Sequence, residues 1–134
     1  MRPLLGVLVV GAAWACSVGP RVENIAPAHD PAGATIQLHL RKGRPRQVVQ
    51  GELLSVQDSG LLVHDPVRMV FVANGAVKSG MLLVQGVGAS FGGKAVGATR
   101  ERLRLLSRYP GGVSAELLRN LLAAYGSDSV ETIR

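Results

Sequence analysis

The chain has 134 residues, is 47% apolar and carries a formal net charge of +6. That length admits one small domain and excludes two, and the apolar share excludes wholesale disorder. A single cysteine excludes an internal disulfide framework and any multi-cysteine metal site, while the positive balance favours anionic partners without choosing among them.

Residues 1–15, MRPLLGVLVVGAAWA, have the three-part form of an export signal. Arg2 supplies the positive start, Leu4 to Ala13 the apolar run, and Ala13-Trp14-Ala15 the small-x-small site that a signal peptidase reads. The run falls short of the roughly 20 residues a membrane-spanning helix needs. A buried N-terminal strand or helix is the competing reading, and the pattern favours export.

Cys16 follows directly. A lone cysteine at the first mature position resembles the lipobox of bacterial lipoproteins, and Ala15 matches the small residue before that cysteine. Trp14 and Ala13 depart from the small residue and Leu preferred there. The resemblance implies a diacylglycerol on the Cys16 thiol and an acylated new amine, a firmer anchor than one chain gives. Ala13-x-Ala15 equally suits ordinary signal peptidase, so lipoprotein and free exported protein both stay open, with cleavage before Cys16 in either case. Ser17 resembles the pattern of lipoproteins passed to the outer membrane. The expected location is the periplasm or outer membrane.

Residues 16–34 carry three prolines and no usable periodicity, the marks of a linker. His29-Asp30 reads as a solvated pair, because no further metal ligand stands at a suitable spacing.

The body is expected over residues 35–84. Ile36, Leu38 and Leu40 alternate with Gln37, His39 and Arg41, the period of a strand with one buried face. Lys42-Gly43-Arg44-Pro45 turns the chain. A second strand follows from about Gln47 to Val56, with Gly51 expected to mark a bulge or bend. Gln57-Asp58-Ser59-Gly60 is a turn and Leu61 to His64 a third strand, broken by Asp65-Pro66. Val67 to Val72 gives the fourth strand, Asn74-Gly75 a tight turn and Met81 to Val84 the fifth.

Residues 36–43 and Gly51-Glu52-Leu53-Leu54-Ser55-Val56-x-Asp58-Ser59-x-Leu61-Leu62-Val63 resemble the strand, Gly turn, strand unit of Sm-like and other SH3-like small barrels, as found in small exported bacterial proteins. The resemblance implies that Gly51 bends the second strand and that the Asp58 turn starts the third. The fold expected is mainly β with C-terminal α: a small five-stranded, partly open SH3-like or Sm-like barrel followed by two short helices.

Residues 85–98, with five glycines, read as a flexible link. Gly92-Gly93-Lys94 hints at a phosphate-binding loop, but Ala95 stands where that motif needs a hydroxyl. From Thr99 the spacing turns helical, with Thr99 as cap and Leu103, Leu105 and Leu106 as the apolar side. Tyr109-Pro110-Gly111-Gly112 stops that helix. Ser114 caps a second one, lined by Leu117, Leu118, Leu121, Leu122 and Tyr125 and ended by Gly126. This hairpin spans residues 99–126 and resembles the L-x-L-L-S-R-[FY]-P-x-G segment of the same exported proteins. Two helices this short are marginal alone, so their leucines should pack on the barrel or on a partner. Residues 127–134 read as a tail.

No catalytic set emerges. His39 and His64 lie in strands, Ser55, Ser59 and Ser107 lack a hydrolase elbow, and His64-Asp65 suits a turn. No enzyme activity, cofactor or metal is expected. Two basic runs stand out: Arg41, Lys42, Arg44 and Arg46 on one hairpin turn, and Arg100, Arg104 and Arg108, with Arg102, on one helix. They read either as ordinary solvated faces or as contacts for an acidic headgroup, an anionic envelope polymer or an acidic protein. The favoured function is a non-enzymatic, exported envelope protein, lipid-anchored to the membrane and working by binding or as an accessory. The alternative, an Sm-like nucleic-acid binder, is disfavoured by the export signal and by too few aromatics for base stacking.

Overall fold

A computed structural model describes residues 21–22, 32–84, 86–93 and 97–134. The fold is mainly β with two C-terminal helices. Strands β1 (Thr35–Leu40), β2 (Val48–Val56), β3 (Gly60–His64) and β4 (Met69–Ala73) lead through a 3₁₀ turn, Asn74–Ala76, into β5 (Val77–Val84) and β6 (Val87–Gly92). Helices α1 (Gly97–Leu106) and α2 (Ala115–Ala124) follow, and β7 (Val130–Ile133) ends the chain. All seven strands form one open sheet in the order β6-β5-β1-β2-β3-β4-β7. Neighbours pair antiparallel except β4 and β7, which run parallel.

The sheet curls strongly. In a flat sheet β4 and β5 would lie four strand spacings apart, about 19 Å. The three residues of the 3₁₀ turn that join them span only about 6 Å. Arg41 N, just past β1, donates to Ala76 O at 2.9 Å and carries the β1–β5 ladder up to that turn. Inside the curl lies one apolar cluster drawing on every strand, from Ala89 and Phe91 of β6 to Ile133 of β7, topped by Leu103 and Leu106 of α1. A second cluster lies outside, where Leu121 of α2 covers Leu54, Leu62 and Met69. The leucine stripe of the hairpin therefore packs on its own sheet.

Several expectations need correction. Among the described residues there are seven strands where the sequence pattern predicts five. β6 occupies six of the fourteen residues read as a flexible link. Its alternation is masked by small residues: Ala89 and Phe91 face the core, while Gly88 lies under Met81, whose Sδ would come within 3.3 Å of a Cβ there. The Phe91 ring rests on Gly80, its partner across the strands, where a Cβ would be 2.2 Å from Phe91 Cζ. β7 forms within the expected tail, since Ile133 reaches the core and the strand completes the β4 edge.

The bulge in β2 falls at Leu54, not Gly51: Leu53 pairs with Val63 and Ser55 with Leu62, leaving Leu54 unpaired. The extra residue resets the alternation, so that Leu53 and Val56, three apart, both face the inner cluster while Leu54 faces the outer one. Gly51 answers instead to close packing, because a Cβ there would lie 2.0 Å from His64 O. β5 begins at Val77, four residues before the expected start, and Gly75 lies in the 3₁₀ turn without a left-handed φ. β4 begins at Met69, and Val67 stands 75% exposed in the preceding turn. α1 begins at Gly97, which places Thr99 inside its first turn. Within the stretch read as a linker, Val22 is fully buried in the core and Arg21 bridges to Ser90 of β6. Cys16 and the export segment lie outside the described residues.

Candidate functional site

The two stretches most marked in the sequence, Gly51-Glu52-Leu53-Leu54 and Leu106-Ser107-Arg108-Tyr109, meet in one joint. The Leu54 bulge leaves carbonyls free on β2, and the chain leaving α1 uses them: Arg108 N donates to Leu53 O at 3.0 Å and Tyr109 N to Leu54 O at 2.9 Å. Ala34 closes the third side, donating to Leu106 O at 3.0 Å and accepting from Leu53 N at 2.9 Å. Gly33 must be glycine here, since a Cβ would fall 2.1 Å from Leu53 O. The Glu52 carboxylate takes Gly33 N at 2.9 Å and Arg108 Nη1 at 3.2 Å. These residues hold the helices to the sheet and leave no free chemistry.

A groove of about 510 Å³ opens beside the joint, lined by Gln50, Gly51, Glu52, His64 and Asp65 among others. Its two carboxylates are both committed. Asp65 Oδ1 accepts from Val67 N at 2.8 Å and Arg68 N at 2.7 Å, the turn expected of His64-Asp65. Its Oδ2 holds Arg46 at 2.7 Å, and Arg46 reaches on to Glu131 of β7, also at 2.7 Å. Burial works against the charged form of Asp65, but the bonds from Arg46 and the two amides outweigh it and hold the carboxyl below its ordinary value. The His64 ring stacks on Tyr125, centroids 3.9 Å apart. No group of three His, Cys, Asp or Glu side chains placed to hold a metal occurs among the described residues.

The predicted basic residues separate into two sets. Arg46, Arg100, Arg104 and Arg108 each bind a carboxylate: Arg46 those of Asp65 and Glu131, Arg100 that of Asp58 at 3.2 Å, Arg104 that of Glu101, and Arg108 that of Glu52. Arg104 also caps Pro110 O at 2.8 Å. The helix run is thus spent largely within the fold.

Arg41 and Lys42 have no carboxylate partner among the described residues, and Arg44 lies beside them on the same loop. They sit where the β1–β2 loop meets the 3₁₀ turn, as the bond from Arg41 N to Ala76 O requires. Lys78, exposed at the start of β5 two residues past Ala76, joins them and likewise lacks a carboxylate partner. Arg44 is pinned, its Nε donating to Arg134 O at 3.2 Å and its Nη1 to Lys42 O at 3.0 Å. Beside it lies a depression of about 370 Å³ lined by Arg44, Ser59, Phe71, Ala73, Gly75 and Arg134. Lys78 and Arg134 carry no local sequence signal; the β1–β5 pairing brings Lys78 to this end and the curl of the sheet brings Arg134.

Comparison with protein-family models, with curated proteins and with solved structures found no match.

Proposed function

We propose that the chain is a non-enzymatic envelope protein, exported and anchored to the membrane through Cys16, that binds an anionic partner at the end of its sheet bearing Arg41, Lys42, Arg44 and Lys78. The observation that carries this reading is the asymmetry among its cations. Five arginines elsewhere, Arg46, Arg68, Arg100, Arg104 and Arg108, are paired with carboxylates, whereas Arg41, Lys42 and Lys78 have no such partner among the described residues. Clustered, unpaired cations raise the local concentration of an anionic polymer and lower the barrier to its capture. The anionic sites at hand, Glu52 and Asp65, are held in ion pairs on the groove beside the joint.

The body is read as an SH3-like small barrel extended by two strands. The order β5-β1-β2-β3-β4, with one 3₁₀ turn between β4 and β5, supports that reading. In it, β6 widens one edge and β7 the other, and the basic loop between β1 and β2 projects from the barrel's end.

Two measurements test the proposal. Mass spectrometry of the mature protein should find an acylated Cys16 at the N-terminus in the envelope fraction; an intact Met1 in the cytosol would overturn the export part. Titration of the purified protein with polygalacturonate should show binding that weakens markedly between about 20 and 200 mM salt, as screening demands. Binding of nucleic acid in preference to that polymer would instead favour the Sm-like alternative.

A further inference from the structure

The outer face of the sheet is covered on one half only. Leu54, Leu62 and Met69, on β2 to β4, lie under α2, whereas the outward positions of β1 and β5 stay open to solvent. The registers set these outward side chains in rows: Thr35 beside Leu83 and Gly88, and Gln37 beside Met81 and Ser90. Met81 and Leu83 lean over β6, their Sδ and Cδ2 at 3.3 and 3.8 Å from where a Cβ on Gly88 would stand. They are 40% and 43% exposed and, with Val48 on the same face, make up three of the five large apolar side chains left exposed among the described residues. The rows hold no lysine or arginine, and their one carboxylate, Glu52, is paired with Arg108.

Cations border this face without crossing it. Arg41 and Lys42 follow β1, and Lys78 precedes Ser79 of β5, so basic side chains gather along the end where those two strands pair. An uncharged, partly apolar centre with a basic border suits an anionic bilayer, where buried apolar area and attraction to headgroups add.

Chain length limits how far away that bilayer can be. Arg21 bridges to Ser90, the cross-strand partner of Met81, and so lies two strand spacings, about 10 Å, from Met81. The five residue steps from Cys16 to Arg21 span at most about 18 Å. A lipid on Cys16 therefore keeps the β6 edge within that distance of the membrane. A second copy of the chain is the poorer occupant. Four strands by three rows give about 400 Å², half of what each side of a stable protein interface buries. A tethered body needs less area, because the anchor already holds the bilayer at high effective concentration.

Resting on the reading of the chain as anchored through Cys16 and cationic at this end, we infer that the outer face of β6, β5 and β1 lies on an anionic lipid surface. Met81 and Leu83 enter the headgroup region, and Arg41, Lys42 and Lys78 meet lipid phosphates.

Met81 reports on this contact. Of the three methionines, Met1 falls in the export segment and Met69 is fully buried. The purified protein is placed in vesicles of phosphatidylglycerol and phosphatidylcholine, held by its own acyl chains or, where Cys16 arrives unmodified, by coupling that thiol to a maleimide lipid. Peroxide oxidation of Met81, read by mass spectrometry, should be about fivefold or more slower than in the Cys16→Ser protein free in solution. Arg41→Glu with Lys78→Glu, or Leu83→Asp, should return the rate to within about twofold of the free value. Met69 stays unreactive while the fold is intact; where Leu83→Asp exposes it, the charge pair decides. Met81 oxidised as fast on the vesicles as in solution would overturn the docking, as would equal protection by neutral phosphatidylcholine or by free polygalacturonate. Acylated Cys16 with an unprotected Met81 refutes the face and leaves the anchor standing. Unmodified Cys16 with Met81 protected on the coupled chain refutes the anchor and leaves the face standing.

Discussion

Arg108 Nη1 stands 3.2 Å from Glu52 Oε1, joining residues 56 apart in sequence across the β2 bulge. The pair closes a joint in which Gly33, Ala34 and the chain after α1 all bond to β2. Glu52→Ala removes the acceptor for both Gly33 N and Arg108, and should lower unfolding free energy by about 1 kcal/mol, the partial exposure of the pair keeping the cost small. Gly33→Ala should cost more, because the added methyl meets main chain that has no room to give. Urea denaturation of both variants measures this, and a Gly33→Ala protein as stable as the parent contradicts the packing described.

Ser55 supplies a prediction of the opposite sign. Its hydroxyl is fully buried and has no hydrogen-bond partner. Ser55→Ala should therefore leave stability unchanged or raise it by about 1 kcal/mol. A clear loss would mean that the hydroxyl is bonded after all.

Leu121 fixes α2 to the sheet through Leu54, Leu62 and Met69. Truncation to alanine should cost about 2–3 kcal/mol, and hydrogen exchange should speed first in α2. Uniform exchange across both helices and the sheet would show that α2 does not open as a separate unit.

Acid should act through Asp65. Its carboxyl titrates below the ordinary value of 3.8, so the folded state holds the charged form more strongly than the unfolded chain does. The stability this gives is fully present above that value and is lost as pH falls through the lower, folded one. Asp65→Asn should lower stability at neutral pH and flatten the acid limb of a denaturation series. An acid limb as steep as the parent's would place the sensitive group elsewhere.

Much of the fold is legible in the sequence where a local rule applies. The alternation of β1, the Ser114 cap bonded to Leu117 N at 3.1 Å, the Gly126 terminus with φ of 66° and the Asp65 turn all follow from short-range chemistry. β6 escapes because glycine and alanine hide its period, and β7 because four residues at a chain's end carry no pattern without the β4 edge they complete. The bulge sits at Leu54 because which residue is skipped depends on β3 and on the segment after α1. The basic runs are visible as charge, but which cations are spent is decided by carboxylates from 3 to 85 residues away, all but that of Glu101 distant in sequence. Lys78 joins the cationic end through the β1–β5 pairing and Arg134 through the curl.

The most direct test compares two charge reversals in polygalacturonate binding at about 20 mM salt, where screening is weak. Arg41→Glu with Lys42→Glu should reduce affinity about tenfold or more, whereas Arg100→Glu with Arg104→Glu should leave it within about twofold. Equal losses from both pairs, or a greater loss from the helix pair, would contradict the assignment of binding to the β1–β2 end of the sheet.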